Sequence, residues 1–251
     1  MTKPLAILIG MGPGLGQALV RKFASNGFAV AFTGRRRDAI EKHEHGLRNM
    51  GLEVSGFAGD AGDPGSMDEI HRQIADRYGD ADVLLYNAAI IEPARFVTAS
   101  GLAEARYGTA EGWAAHGKPA DFDYVVNAFK TNVAGAHHAA LKVVPPMIER
   151  GRGTILLTGG VLAFGPWIEW GVTSLGKAAL RSLGHSLHKE LVGHGIQVTT
   201  VAIHGTMQAG TPYDHNLVAQ AYLDLHHRPR SAWDPDYHFN AEEEIASDPD
   251  A

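Results

Sequence analysis

Seven residues near the start of the chain, Gly10-Met-Gly-Pro-Gly14-Leu-Gly16, constrain its folding more than any other feature. They follow an uninterrupted apolar run, Leu5-Ala-Ile-Leu-Ile9, of the kind that forms a parallel strand buried on both faces. They precede Gln17 to Ser25, where Ala18, Leu19 and Phe23 recur among polar residues as on a helix, and Asn26-Gly27 ends that segment as a left-handed cap does. A glycine turn between strand and helix lets another backbone or a pyrophosphate come close, and the anion then rests on the helix N-terminus. A turn made only for packing is the alternative. The position of this one, after the first strand of a βαβ chain, favours a dinucleotide.

The rhythm repeats. Phe28 to Phe32 reads as a second strand, Asp38 as the cap of a helix running to Met50-Gly51, and Glu53 to Ala58 as a third strand. Asp63-Pro64 opens another helix, with proline suited to its first turn. Ala81–Leu85, Gly153–Leu157 and Ile196–Ile203 read as strands four to six. Strands separated by helix-length segments imply right-handed crossovers and a doubly wound parallel sheet with helices on both faces, an α/β fold. No linker or repeat divides residues 1–240, which read as a single dinucleotide-binding domain. Two stretches break the pattern. Residues 90–121, rich in Ala, Gly and Thr and including Trp113, His116 and Pro119, read as an insertion near the active site. The acidic residues 241–251 read as a frayed or disordered tail.

Composition narrows the function classes. In 251 residues, 22 cationic against 28 anionic side chains leave a net charge of −6, so neither nucleic acid nor an anionic membrane is an expected partner. No cysteine is present, which removes disulfides, thiolate metal sites and cysteine nucleophiles. The opening apolar run is too short to span a membrane and no signal peptide is evident, so a cytoplasmic protein acting on a small molecule is expected. Among the histidines, His43-Glu-His45, His137-His138 and His226-His227 lack helical ligand spacing. His185 and His188 share a face but have no third ligand, so no metal site is expected.

The second strand ends Thr33-Gly34-Arg35-Arg36-Arg37. A site for NAD places a carboxylate here to accept from the ribose hydroxyls, whereas guanidinium groups suit a 2′-phosphate, so NADP is expected before NAD. A solvated basic turn opening a helix is the other reading of Arg35 and Arg36.

From Leu5 to about Phe239 these features resemble the short-chain dehydrogenase/reductase family, with its Rossmann-type fold. Gly10, Gly14 and Gly16 match the family's Gly-x-x-x-Gly-x-Gly turn. The resemblance implies that Asp60 contacts adenine and that Asn87, in Tyr86-Asn87-Ala88-Ala89, lies at the cofactor. It makes Asn132, in Thr-Asn-Val-Ala-Gly, the structural asparagine of the active site, and Lys177 the lysine on the nicotinamide ribose. His204-Gly205 take the place of the family's Pro-Gly after strand six, beside the nicotinamide. The helices around Asn127–Ile148 and Val172–Leu191 correspond to those that pair subunits, implying a homodimer or homotetramer. The second of them carries Val172, Leu175, Ala179, Leu183, Leu187 and Leu191 as its apolar positions.

The catalytic pair departs from the family pattern. Thr173 stands four residues before Lys177, where the family has tyrosine, and Gly160 stands where it has serine. Trp170 occupies the position seven before the lysine, where enoyl reductases place tyrosine. Reduction needs a hydride and a proton, and a threonine hydroxyl is far less acidic than a tuned phenol. Four substitutes are available. Tyr86 ends strand four, His204 could serve as an acid near neutral pH, and Glu169 sits between Trp167 and Trp170. A water held by Asn132 and Lys177 is the fourth. Each has a structural alternative: aromatic packing for Tyr86, a loop hydrogen bond for His204, a solvated loop acid for Glu169. The expected function is an NADP(H)-dependent oxidoreductase with non-standard proton delivery, acting on an activated C=C or carbonyl of a small apolar or aromatic substrate. A non-redox enzyme on the same scaffold (lyase, isomerase, dehydratase or cyclase) and a catalytically inactive dinucleotide-binding protein are the alternatives.

Overall fold

The computed structural model describes residues 3–100 and 117–241. Trp113, His116 and residues 242–251 therefore lie outside the described residues. Seven strands form one sheet: β1 Leu5–Ile9, β2 Ala29–Gly34, β3 Val54–Ala58, β4 Val83–Tyr86, β5 Gly153–Thr158, β6 Ile196–Ile203 and β7 Asp236–Phe239. Their order is β3-β2-β1-β4-β5-β6-β7, with every pairing parallel. The strand β1 is apolar throughout because both its faces are covered, and β6 is buried at every position although it carries Gln197, Thr199 and Thr200. The chain steps outward from β1 to β3, then returns to β4 on the other side of β1. That reversal opens a crevice at the carboxyl ends of β1 and β4, where open α/β sheets bind ligands.

Among the described residues, seven α-helices complete the layers: α1 Leu15–Ser25, α2 Arg37–Asn49, α3 Pro64–Tyr78, α4 Phe122–Phe129, α5 Gly135–Arg150, α6 Gly171–Leu191 and α7 His215–His226. Leu19 and Phe23 of α1, Ile40 and Leu47 of α2, and Val218 and Tyr222 of α7 pack with Leu8, Leu85 and Val201 on one face of the sheet. Ile70 and Ile74 of α3, Ala139 and Val143 of α5, and Leu180 of α6 pack with Ile7, Leu84 and Ile155 on the other. The fold is the doubly wound Rossmann type.

Local signals account for most of the boundaries. Asp63 accepts from the Gly65 backbone N–H at 3.0 Å, with Pro64 behind it in the first turn, as expected. Gly27, at φ 91°, ends α1. The expectation for Asp38 is corrected. Arg36 occupies the cap position of α2 without a side-chain bond, and Asp38 lies in the first turn, where its charge complements the helix dipole.

Three further differences have physical causes. The strand β7 escapes sequence reading because it is short, lies at the sheet edge and buries only Phe239 of its Asp-Tyr-His-Phe. The helix expected around Asn127–Ile148 is two helices joined by a π turn, Lys130–Ala134, that carries Asn132 inward. On α6 the buried side is Val172, Thr173, Gly176, Lys177, Leu180 and Gly184, while Leu175 is 44% exposed and Leu183 and Leu187 are half-buried. The glycines permit the close approach behind this rotation. A Cβ on Gly176 would lie 2.8 Å from the Asn132 amide nitrogen, and one on Gly184 2.4 Å from the Thr200 hydroxyl.

Candidate active site

Two adjoining cavities run along the carboxyl edge of the sheet and share Gly12, Asn87 and Ala89 in their walls. The smaller, of about 250 Å³, is lined by Gly10, Gly34, Arg35, Asp60 and Ile90 among others. The larger, of about 530 Å³, is lined by Gly14, Gly16, Thr158, Gly160, Trp167, Trp170, Thr173, Lys177, His204, Gly205 and His215 among others.

The glycine turn separates into three distinct needs. Gly10 takes φ 102°, and a Cβ there would lie 2.3 Å from the Ala88 backbone nitrogen. The Gly10 and Met11 N–H groups donate to the Thr33 carbonyl, and Asn87 Nδ2 donates to the Gly10 carbonyl at 2.8 Å, so the turn is tied to the ends of β2 and β4. Gly16 lets α1 start against the Gly10 carbonyl, which a Cβ would meet at 3.0 Å. Gly14 faces the groove, and its missing Cβ would lie 2.7 Å from His215 Nε2. The start of α1 has no side-chain cap, and the Leu15 and Gly16 N–H groups, which precede the first backbone bonds at Gln17 and Ala18, are available to an anion at the cavity wall. This cradle fits a dinucleotide diphosphate. Arg35 stands exposed at the rim of the smaller cavity and Asp60 lines it, whereas Arg36 lines neither cavity.

Lys177 is buried and donates to the Thr158 carbonyl at 2.7 Å; burial pushes its pKa down to about 8. The Thr158 hydroxyl in turn accepts from Tyr222 at 2.8 Å. Thr173 stands one turn before the lysine, buried yet on the cavity wall. Gly160 is in extended backbone that any residue adopts, and a Cβ there would meet nothing nearer than the Ile203 carbonyl at 3.9 Å. Trp167, Trp170, Leu162 and Met207 give the larger cavity a mainly apolar wall.

Three sequence candidates bond to the chain itself. Asn132 accepts from the Ile90 N–H at 2.6 Å and donates to the Ile90 carbonyl at 3.1 Å, so its side-chain amide clamps the loop after β4. Tyr86 lines neither cavity. It is fully buried, donates to the Thr131 carbonyl and lies in a slot left by Gly135, and its burial pushes the phenol well above its ordinary pKa. Such a phenol holds the π turn and gives no proton to the groove. Tyr86→Phe is expected to cost about 1–2 kcal/mol in denaturant unfolding, the loss of one buried hydrogen bond; an unchanged midpoint would contradict this role.

Glu169 is neither a solvated acid nor a groove residue. Its carboxylate accepts from Arg95 Nε at 2.6 Å, from a terminal Arg95 nitrogen and from the Ser100 hydroxyl at 2.6 Å. Its backbone carbonyl accepts from the Ala94 N–H at 2.7 Å, and the Ala94 carbonyl accepts from the Gly171 N–H, making a bridge between Ala94 and Trp170. These contacts anchor the first part of the 90–121 insertion to the segment that carries the two tryptophans. Among the described residues no group of three or more His, Cys, Asp or Glu side chains stands close enough to hold a metal ion.

Two histidines at the site lay beyond the sequence reading. His215 begins α7 and reaches Gly14 because α7 folds back beside α1; Asp214, which caps α7 by accepting from the Asn216 N–H at 2.8 Å, was the local signal for that helix. His238 lies on β7, and nothing in the local pattern marks it.

Residues 4–220 match the family model for short chain dehydrogenase. The chain belongs to that family. As a short-chain dehydrogenase it is 26% identical, over 78% of its length and 70% of the relative's, to the NADP-dependent 3-hydroxy acid dehydrogenase YdfG of Salmonella typhi. It is 27% identical, over 79% of its length and 69% of the relative's, to an uncharacterized oxidoreductase of Thermotoga maritima. Among solved structures, the fold is shared with a metagenomic short-chain oxidoreductase in complex with NADP, at TM-score 0.77 and 19% identity, covering 94% of this chain and 96% of that one. It is shared equally with L-sorbose reductase from Gluconobacter frateurii, complexed with NADPH and L-sorbose, at TM-score 0.78 and 19% identity over 95% of each chain.

Proposed function

We propose that this short-chain dehydrogenase is an NADP(H)-dependent reductase of an activated C=C or carbonyl group on a small apolar or aromatic substrate, with its proton supplied by a group other than the family's tyrosine. The observation that carries this reading is Lys177: a buried lysine, of lowered pKa, on the wall of a cavity continuous with the glycine turn. A cofactor-free pocket has no physical use for a desolvated ammonium there. The names of YdfG and the NADP-bound structural neighbours point the same way.

The residues present fit the cofactor. Gly10, Gly14, Gly16 and the start of α1 would take the diphosphate, Asp60 the adenine side and Arg35 the 2′-phosphate. Asn87, Lys177 and Gly205 would line the nicotinamide half. When bound, NADPH supplies a hydride to the substrate carbon. Lys177 places a positive charge on the wall of that cavity, and its bond to the Thr158 carbonyl fixes the ammonium in one direction. Thr173 can orient a substrate through its hydroxyl but is too weak an acid to protonate one. Trp167 and Trp170 keep water from the apolar part of the substrate. The half-covered side of α6 at Leu175, with Leu141 and Phe129 exposed on α5 and α4, is the surface a second copy of the chain would cover.

Calorimetric titration with NADPH, NADP, NADH and NAD tests the reading. Micromolar NADPH binding, about −8 kcal/mol, with NADH much weaker, is expected. Arg35→Ala should weaken NADPH about tenfold or more and leave NADH unchanged, because only the former carries the phosphate. No binding of any of the four would overturn the reductase and leave the larger cavity as the substrate site of a non-redox enzyme.

A further inference from the structure

We propose that His204 and His238 form a proton inlet, passing protons from solvent to a substrate in the larger cavity. The proposal rests on the reductase reading for its substrate and on geometry of its own for the relay. His204 follows β6 and lines the cavity together with Thr158, Gly160, Thr173 and Lys177. Its backbone N–H donates to the Phe239 carbonyl at 3.0 Å, which locks the end of β6 to β7. In that register Ala202 pairs with His238, and His204 Nε2 lies 2.8 Å from His238 Nδ1. His238 is exposed. One ring therefore stands at the cavity, the other in water, and a single hydrogen bond joins them.

The neighbours hold the two rings without taking the proton. Phe164 packs against His238 at 4.9 Å between ring centroids, and Arg181 lies over the other ring in this stack, 4.6 Å from the Phe164 centroid. Asp236, two residues before His238 on β7, is bonded to Arg181 at 2.9 Å and to His185 at 2.8 Å, so its charge is matched by those groups. On the cavity side, one of the three N–H donors of Lys177 is taken by the Thr158 carbonyl, and Thr173 and Gly160 offer no acid. Histidine is the side chain whose ordinary pKa suits proton transfer near neutrality. In an imidazole–imidazole hydrogen bond one ring must donate and the other accept, so a proton arriving on His238 can cross to His204.

The step balances as follows. As hydride reaches the substrate carbon, an N–H bond of His204 breaks and its proton goes to the substrate atom that has gained the electron pair. The His238 Nδ1 proton moves to His204 Nε2, and His238 takes a proton from water. One hydride and one solvent proton are consumed per substrate reduced.

Two measurements on the full chain test this. The first needs no substrate: imidazole nitrogen NMR across the pH range. The His204 Nε2 and His238 Nδ1 signals should respond to one another through their shared hydrogen bond, and His238→Gln should change the His204 spectrum; an unaltered His204 spectrum overturns the inlet. The second is single-turnover NADPH oxidation with phenanthrenequinone as the probe acceptor. His204→Ala should lower the rate about 100-fold and His238→Ala about tenfold, and added imidazole should restore part of each loss. Losses that imidazole cannot restore, with His204→Gln giving the same, would mean structural damage and overturn the assignment. Wild-type chain that never oxidises NADPH with the quinone would count against the reductase reading, while the NMR coupling still decides the relay.

Discussion

Replacing Lys177 by methionine is expected to make the protein more stable at pH 7, by about 2 kcal/mol, and to lower turnover about 100-fold. Burial holds the lysine pKa near 8 in the folded chain, below its ordinary 10.5. Below the folded value the lysine is protonated in both states, and the cost of desolvating its charge is present in full. Between about 8 and 10.5 the unfolded chain holds the proton more firmly than the folded one, so stability rises with pH across that window. The gain amounts to about 3 kcal/mol. Methionine removes that cost at pH 7 but also the hydrogen bond to the Thr158 carbonyl, worth about 1 kcal/mol, which leaves the net figure. Urea unfolding of both proteins at pH 7 and near pH 10 checks it. The wild type should gain stability with pH and the variant should show a flatter profile. A variant less stable than wild type at pH 7 would mean that the ammonium is held by more than burial allows.

Arg95→Ala should destabilise the chain by about 3 kcal/mol or more, although the residue touches neither cavity. Glu169 is only 2% exposed, and its carboxylate is compensated chiefly by the Arg95 guanidinium. Removing the guanidinium takes the two Arg95 hydrogen bonds from a buried anion that also accepts from the Ser100 hydroxyl. The expected readout is a lowered unfolding midpoint together with faster amide exchange at Ala94 and Gly171, whose backbone bonds bracket the pair. Replacing both residues, as Arg95→Met with Glu169→Leu, should recover most of the loss, since a buried ion pair rarely outperforms apolar packing of the same size. If the single variant unfolds like wild type, Glu169 must find another cation, and the anchoring role assigned to the pair is wrong.

How far the sequence could be read depended on how local each signal was. The strands β1, β2 and β4 announced themselves because burial on both faces demands nearly unbroken apolar runs, and Asp63 and Gly27 each satisfy a need set within a few residues. The strand β7 did not, since an edge strand with one buried side chain carries almost no pattern. With β7 went His238, and with the packing of α7 on α1 went His215. For Glu169 the partner that decides its chemistry, Arg95, lies 74 residues away, so a carboxylate between tryptophans was open to several readings. On α6, Val172, Leu183, Leu187 and Leu191 do meet the core, and only Leu175 of the leucine ridge stands out in solvent. Apolar spacing identified the leucine ridge, but the approach to the sheet is set by Gly176 and Gly184, which let the small side in and leave Leu175 half in solvent.

The open backbone at Gly160 has a consequence for engineering. When a side chain is lost from a packed site, neighbours usually relax into the space and the loss becomes hard to reverse. Here the first atom a side chain would meet is 3.9 Å away and the backbone is already in a conformation suited to any residue. A Cβ can be added at this position without crowding a neighbour. Thr173 is different: it is 2% exposed, so a ring in its place must extend along the cavity wall or displace its neighbours. A Gly160→Ser variant would therefore show what a hydroxyl at this point of the cavity wall contributes, with Thr173 left as it is.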